Sequence, residues 1–398
     1  MPSSHGGPMR LNPLRLLFPL ILVGLVPRQA QAIPAWARKY NANCSMCHAP
    51  AVPRLNAKGI AFKWAGYRMP EEIGERQDVE KIQEYLAARA RAGYEFERIR
   101  DEGTTQNRLG LSDASIFIAG PIGRWFGGFT ELQRTEEGEV EALLSVSALR
   151  GSAERYVGAR FVQGHALLLG GGVAGFDRAI GISTPLPFGQ ANTALPVRLA
   201  GDMTGGEAFV VLGRNRFSVQ LLNSALGPFA TRGPTARDVV VTNQLMWDDA
   251  GAGLGAAAYF GQTEGLVETA PERRARYARL ALTANKYFGP VELLGGYVYS
   301  RDRGLPAGEG FAAPTNTGQG YWVSGQVTPR RGAETLFLRY EENSPDRNVS
   351  LAAKRFVAGA VLPINVPEYL RAAVEYRRGF GDGTPRSNGL AAELQLTF

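Results

Sequence analysis

From residue 86 to residue 398 apolar and polar side chains alternate with a period of two. The last stretch shows it plainly: Leu390, Ala392, Leu394, Leu396 and Phe398 share one parity, and Ala391, Glu393, Gln395 and Thr397 the other. Leu370, Ala372, Val374 and Tyr376 set against Arg371, Ala373, Glu375 and Arg377 repeat the pattern. Near the start, Ala88, Ala90, Ala92, Tyr94 and Phe96 oppose Arg89, Arg91, Glu95 and Glu97. Such alternation predicts strands with one apolar and one polar face. The segments expected are 86–98, 111–119, 123–134, 139–150, 153–163, 206–213, 216–224, 238–247, 253–262, 273–288, 290–301, 318–329, 333–343, 347–363, 367–378 and 388–398. That is sixteen, an even number, which returns both ends of the sheet to one side.

Two architectures share this alternation. A membrane barrel turns its apolar parity to lipid and its polar parity to a lumen, whereas a soluble sandwich buries the apolar parity. Turn lengths favour the barrel, whose short turns lie on one side and long loops on the other. Gly120-Pro121-Ile122-Gly123, Asp248-Asp249-Ala250-Gly251 and Gly289-Pro290 read as tight turns, and 99–110, 225–237, 263–272 and 302–317 as long loops. An aromatic residue closing the last strand resembles the terminal signal of bacterial outer-membrane barrels. The expected fold is therefore mainly β: a short helical N-terminal segment, then an antiparallel transmembrane β-barrel of about 16 strands over 86–398. Residues 164–205, rich in glycine and proline, form the longest outer loop and are a candidate to fold inward, since long loops are usually functional.

Ahead of the strands lies an export signal at 1–32. Arg10 and Arg15 supply a basic start, 16–26 (LLFPLILVGLV) an apolar run, and Ala30-Gln31-Ala32 a cleavage site before Ile33. Eleven apolar residues are too few to span a bilayer as a helix. The whole chain carries a formal charge of +7, and loss of Arg10, Arg15 and Arg28 leaves +4. With no basic tail and no aromatic-basic module, nucleic-acid binding is excluded as a reading.

The chemistry concentrates in Cys44-Ser45-Met46-Cys47-His48, which holds the only two cysteines of the 398 residues. C-x-x-C-H is the attachment signature of c-type haem. Each thiol can add to a vinyl group of one porphyrin, and His48 then falls beneath the iron as its proximal ligand. A four-cysteine zinc site and a disulfide framework both need more cysteines. A thioredoxin-like dithiol is the alternative, but it has no need of the histidine. Covalent haem attachment takes place outside the cytoplasm, in keeping with the export signal.

Residues 33–70 form the expected haem segment. It carries Arg38, Lys39, Arg54, Lys58, Lys63 and Arg68 and no acidic residue, so some of these cations are candidates to pair with haem propionates, the others being solvated surface. A short helix is expected over 53–67, with Leu55, Ile60, Phe62, Trp64 and Tyr67 available to pack on the porphyrin, as is Trp36. The segment is short for a free-standing haem domain, so the remaining chain is expected to cover the cofactor. Residues 71–85 read as a charged linker helix. No nucleophile motif, phosphate loop or zinc triad appears.

Ile33-Pro34, Ala37-Arg38, Cys44 to His48, Pro53-Arg54-Leu55-Asn56, Gly59, Phe62-Lys63 and Gly66-Tyr67, followed by a porin-like barrel, resemble the fused monohaem cytochrome c–porins of the bacterial outer membrane, of which the iron-oxidising cytochromes are the best-known members. The resemblance is specific over about 35 residues and architectural beyond them. It implies one covalent haem c, an outer-membrane location, an external electron donor such as Fe(II), and a periplasmic cytochrome or other carrier that accepts the electrons. Two further readings stand beside it: a diffusion porin with a haem-bearing plug or sensor and no net electron flux, and a soluble periplasmic cytochrome.

For the sixth position of the iron the common side chains are methionine and histidine. Outside the motif the exported chain offers Met69, Met203, Met246 and His165. Met69 ranks first because its Met69-Pro70 pairing looks like the distal loop of many cytochromes c, His165 second, and a water-ligated iron stays open. Met246 has lumen parity and serves only if the haem sits low. Acidic clusters at Glu136-Glu137-Gly138-Glu139 and Glu341-Glu342 are expected at or beside outer loops, as cation attractors or plain solvated loops.

Overall fold

A computed structural model of the chain describes residues 35–42, 44–48, 54–135, 138–165, 180–191, 193, 195, 197–199, 203–223, 237–263, 275–305, 314–329, 334–346, 352–364, 370–381 and 386–397. The export segment, Ile33-Pro34, Glu136-Glu137 and Phe398 lie outside the described residues. Strands β1 (Leu86–Ile99), β2 (Thr104–Ile122), β3 (Phe126–Arg134), β4 (Val140–Gly151), β5 (Arg155–His165), β6 (Met203–Leu212), β7 (Asn215–Asn223) and β8 (Arg237–Met246) form the first half of one sheet. The second half comprises β9 (Gly253–Thr263), β10 (Ala275–Phe288), β11 (Val291–Arg303), β12 (Thr315–Val327), β13 (Thr335–Ser344), β14 (Ala353–Pro363), β15 (Leu370–Phe380) and β16 (Ser387–Thr397). Each strand pairs antiparallel with the next, and β1 pairs with β16, Ala90 opposite Leu396. Closure leaves no open edge.

The side-chain pattern is inverted relative to a soluble protein. Along β7 Arg216, Ser218 and Gln220 are buried while Phe217, Val219 and Leu221 are exposed. On β13 Thr335, Arg339, Glu341 and Asn343 are buried, and Leu336 and Leu338 are exposed. Polar residues inside and apolar residues outside rule out a soluble sandwich and match a lipid-facing wall. The lumen charges are tolerated because they are paired: Arg216 and Arg160 both face Glu207, at 2.8 and 3.5 Å, and Arg279 meets Asp302 at 2.8 Å.

Several boundaries differ from expectation. The stretch 99–110 is not a long loop, because β1 and β2 extend as a paired ribbon to Ile99 and Thr104. Residues 104–111 are exposed on both faces, so no alternation marks them. Gly120 and Pro121 lie within β2, and the turn falls at 123–125. Residues 71–85 do not form a helix: two short 3₁₀ turns, Pro70–Glu72 and Ile82–Glu84, flank extended chain in which Gln77 bridges to Gly123. Its charges pair largely among themselves, Arg76 with Asp78 and Lys81 with Glu84, and the backbone bonds between Gln77 and Gly123 hold it extended along the wall. Glu341 lies within β13, close to its end, and is not solvated. It is buried in the lumen against Arg339 and Arg355.

Helix α1 (Ala35–Lys39), the 3₁₀ turn Cys44–Met46 and helix α2 (Ala57–Trp64) precede the barrel. They pack into the end that carries the short turns 123–125, 213–214, 247–252 and 289–290. From the other end the loop between β5 and β6 enters the lumen, with α3 (Leu186–Gly189) within it. Ile182 and Ser183 donate their backbone N–H groups to Glu375, at 3.0 and 3.1 Å, and Leu186 donates to Glu341 at 2.8 Å. The inward fold expected for that loop holds for its described part.

Candidate functional site

The Cys44–His48 turn is held by the residues that follow it. Asn56 is buried and caps α2, its side-chain oxygen accepting from Gly59 N at 3.0 Å. Its amide nitrogen donates to the carbonyls of Ser45 and Met46 at 3.2 and 3.0 Å, and its backbone N–H donates to the Cys47 carbonyl at 2.9 Å. One asparagine therefore starts the helix and ties down the cysteine turn. Gly59 makes that approach possible, since a Cβ there would lie 2.2 Å from the Cys47 carbonyl oxygen. His48 bridges to Leu55, and its Nδ1 lies 2.9 Å from the Arg54 carbonyl oxygen. A carbonyl only accepts, so Nδ1 carries the proton and the neutral ring has its lone pair on Nε2. This is the backbone contact that orients a metal-ligating histidine.

The segment is fixed to the wall at both ends of α2. Arg54 is fully buried and pairs with Glu292 of β11, which also accepts from Asn285 at 2.6 Å and from Gln326. Burial works against the Arg54 charge, but Glu292 and Tyr287 together more than offset it and hold the guanidinium above its ordinary range. At the other end Trp64 Nε1 donates to Gln244 at 3.0 Å. The chain then reverses through Gly66 and Tyr67, both in the left-handed region at φ 69° and 64°. There the backbone of Gly66 lies so close to β3 that a Cβ on Gly127 would sit 2.0 Å from the Gly66 carbonyl oxygen. Arg68, also buried, donates to the carbonyls of Arg124 (2.9 Å) and Phe126.

The aromatic residues divide into two groups. Ile60 and Trp64 join Leu149, Tyr156, Phe209 and Met246 in an apolar cluster on the wall, with Leu55 against it. Trp36 stacks on Tyr67 with centroids 5.4 Å apart, Tyr67 stacks on Phe129 at 5.4 Å, and Phe62 meets Trp36 edge-on at 5.1 Å. Tyr40 packs on Phe62 and donates to Glu72 at 2.8 Å; burial first, and then the Glu72 carboxylate, push its phenol well above the usual range.

Four of the six expected cations have partners in the protein, and Lys58 is exposed on α2. Arg38 donates to the carbonyls of Gln83 and Leu86, Lys39 approaches Gln77 and Tyr85, and Arg54 and Arg68 hold the wall. Lys39 is pulled below its ordinary range by burial, partly offset by Glu72 and Glu84. Met69 is half-buried just before the Pro70–Glu72 turn, its N–H donating to Glu72 at 3.0 Å. Met246 is buried beside Ile60 and Trp64, and Met203 belongs to the apolar cluster around Phe188 and Trp322. His165 ends β5 opposite Met203, whereas Tyr156 near the start of that strand packs against the segment. At about 3.3 Å per residue these two positions are about 30 Å apart along the strand. That distance separates His165 from the end of the barrel where His48 lies.

The barrel resembles solved porins. OmpT, an outer-membrane protein of Vibrio cholerae, superposes with a TM-score of 0.54 at 11% identity, covering 79% of this chain and 97% of that one. An anion-selective porin from Comamonas acidovorans gives 0.54 at 12% identity, covering 79% and 98%. This is a porin fold. Neither a protein-family model nor a curated protein matches the chain. Two parts of the site were not singled out by sequence reasoning. Glu292 carried a signal, being an acidic residue of lumen parity directly after the Gly289-Pro290 turn, at the height of the N-terminal segment. Glu375, which receives the inward loop, had only its parity to mark it, whereas its fellow acceptor Glu341 stood out as part of an acidic cluster and not as a lumen carboxylate.

Proposed function

We propose that the chain is an outer-membrane electron conduit. It takes electrons from an external donor, proposed as Fe(II), and passes them to a periplasmic cytochrome or other carrier through one covalent haem c. The exposed apolar belt of a closed porin-fold barrel supports the location, and the export signal read in 1–32 is consistent with it. Cys44 and Cys47 hold the haem as thioethers, and His48 is the proximal ligand. The observation that carries this reading is the His48 Nδ1 contact with the Arg54 carbonyl at 2.9 Å, which sets the ligating tautomer. The donor set fits the group. Two thiols and an oriented imidazole lie in one turn, clamped by Asn56 and made room for by Gly59. When bound, the haem supplies a centre that takes up and releases one electron. Arg54 fixes the segment to β11 and Arg68 fixes it to the start of β3, across the barrel, so the turn keeps its position at the end of the lumen.

A pyridine haemochrome spectrum of acid-acetone-extracted protein tests the attachment, and complete loss of haem on extraction overturns it. Stopped-flow mixing of the oxidised protein with Fe(II) then tests the flux. A second reading, a porin whose haem-bearing segment is a plug or sensor, draws on the seating of 35–85 inside one end of a porin fold. Haem that survives extraction but is not reduced by Fe(II) at a useful rate selects it.

A further inference from the structure

The outer face of the wall carries a cavity at the end opposite the N-terminal segment. Its volume is about 620 Å³, and it is lined by Arg100, Arg378, Arg386, Tyr340, Phe356 and Phe380. A single cross-strand row brings most of these side chains together. Tyr340 of β13 stands opposite Phe356 of β14, Phe356 opposite Arg378 of β15, and Arg378 opposite Asn388 of β16. The row shares parity with the exposed Leu338, Leu362, Val374 and Leu390, so it faces lipid. The chain beyond β1 closes the cavity. Arg100 N donates to the Arg386 carbonyl at 2.8 Å, and the Asn388 carboxamide lies 3.0 Å from Arg100 Nε and 2.9 Å from Tyr376 Oη.

We infer that Arg100, Arg378 and Arg386 hold the phosphate of an outer-leaflet lipid, with Phe356 and Phe380 against its apolar part. All three arginines are exposed, and none has an ion-pair partner among the described residues. The carboxylates beside them are engaged. Asp101 accepts the Arg386 backbone N–H at 2.8 Å, and Glu342 accepts from Tyr321 and Tyr340 at 3.0 and 3.1 Å. Guanidinium forks match phosphate oxygens in pairs, and basic pockets that open onto a membrane bind lipid headgroups. The height agrees as well. Tyr321, Tyr340 and Phe380 form an aromatic band with centroids 6.0 and 6.3 Å apart, and such bands mark the boundary between bilayer and water. An occupant at that boundary, on the lipid side of the wall, comes from the leaflet itself. In the outer leaflet of a bacterial outer membrane that occupant is a phosphorylated glycolipid.

The inference rests on the outer-membrane location and is independent of the haem, so the Cys44→Ala, Cys47→Ala chain is expected to behave as the parent. The delipidated full-length protein is titrated in detergent with lipid A, and bound lipid is read by native mass spectrometry. Lipid A is expected to bind at least about tenfold more tightly than the same lipid freed of its phosphates. Arg100→Gln, Arg378→Gln and Arg386→Gln together are expected to weaken retention about 100-fold, roughly fivefold per arginine. The same exchange at Arg124, Arg150 and Arg155, exposed at the opposite end, is expected to leave retention unaltered. Heat-modifiable gel mobility verifies that each barrel is folded, and the comparison of the two lipids on the parent decides without any variant. Equal retention of the dephosphorylated lipid, full retention by the first triple variant, or inorganic phosphate binding as tightly as lipid A overturns the inference. So does a triple variant that changes only the number of chains per particle, which would make this face a contact between copies.

Discussion

Two segments occupy this lumen, and they are held in opposite ways. The N-terminal segment mainly donates to the wall: Trp36 to the Ala119 carbonyl at 3.2 Å, Arg68 to Arg124, Trp64 to Gln244 and Arg54 to Glu292. It also has an interior of its own, built from Trp36, Phe62 and Tyr67. In the inward loop the backbone itself is gripped. Wall carboxylates accept its N–H groups at Ile182, Ser183, Leu186 and Leu195, while Arg339, Arg355 and Asn343 donate to its carbonyls. A unit with its own core keeps a chemical turn in shape. The inward strap also buries Ile180, Phe188, Leu195, Val197 and Leu199 against the wall, so side chains and backbone together set its path through the lumen.

The difference is broken most severely at Glu292. Glu292→Gln leaves the Arg54 charge buried without its carboxylate, a loss of about 3–5 kcal/mol. Opening of the segment is then expected to rise more than about a hundredfold, read as faster hydrogen exchange over 54–68 with the exchange of the inward loop unchanged. Equal acceleration of both would mean that they are one unit.

Next in size are the residues that clamp the cysteine turn. Gly59→Ala puts a methyl group into the Cys47 carbonyl and is expected to cost about 1–3 kcal/mol, with covalent haem per barrel falling sharply. Asn56→Asp keeps the helix cap but gives up both donations to Ser45 and Met46. It is expected to lower the haem yield while hydrogen exchange in α2 stays slow. Asn56→Ala gives up the cap as well, about 1 kcal/mol more, and is expected to speed α2 too. Full haem loading in Asn56→Asp would remove the clamp from the account.

How much of this was legible depended on whether a residue's role lay in its own neighbourhood. Strand parity set which side of each strand faces the lumen, as Arg216 and Phe217 illustrate, because the pleat enforces it whatever the partner. The paired ribbon at 99–110 escaped notice since Thr104, Thr105, Gln106 and Asn107 are polar on both faces. Cys44, Cys47 and His48 were singled out by their spacing as the proposed haem site, and the Nδ1 contact of His48 is consistent with that proposal. The Arg54–Glu292 pair joins positions 238 residues apart, and nothing local to either one signals the other. For the same reason the basic residues of 33–70 looked available for propionates when two of the buried ones already hold the wall.

The strap is tested more gently. Glu375→Gln retains an acceptor for Ile182 and Ser183 but loses its charge, lowering two charge-assisted hydrogen bonds to neutral ones, about 1–2 kcal/mol in all. Single-channel conductance in planar bilayers is expected to increase and to become noisier, with haem content unchanged. Unaltered conductance would show that the loop does not set the constriction.

The smallest change separates the two methionines that lie at the segment's end of the barrel. Met246 is 4% exposed and fills the cluster formed by Ile60, Trp64 and Phe209, so its thioether is engaged in packing. Met69 is half-buried, follows the left-handed turn at Gly66 and Tyr67, and has only its backbone tied, to Glu72. Under the proposed haem attachment, the side chain that packing leaves available is expected to be the distal ligand, and a thioether there would raise the reduction potential, which would suit the proposed Fe(II) donor. Leucine conserves volume at either position, so each exchange is expected to cost under about 1.5 kcal/mol and to leave the fold intact. The near-infrared methionine-to-iron charge-transfer band of the oxidised protein is expected to disappear in Met69→Leu and to persist in Met246→Leu. The reverse pattern would assign the ligand to the barrel wall and make the segment incomplete without it.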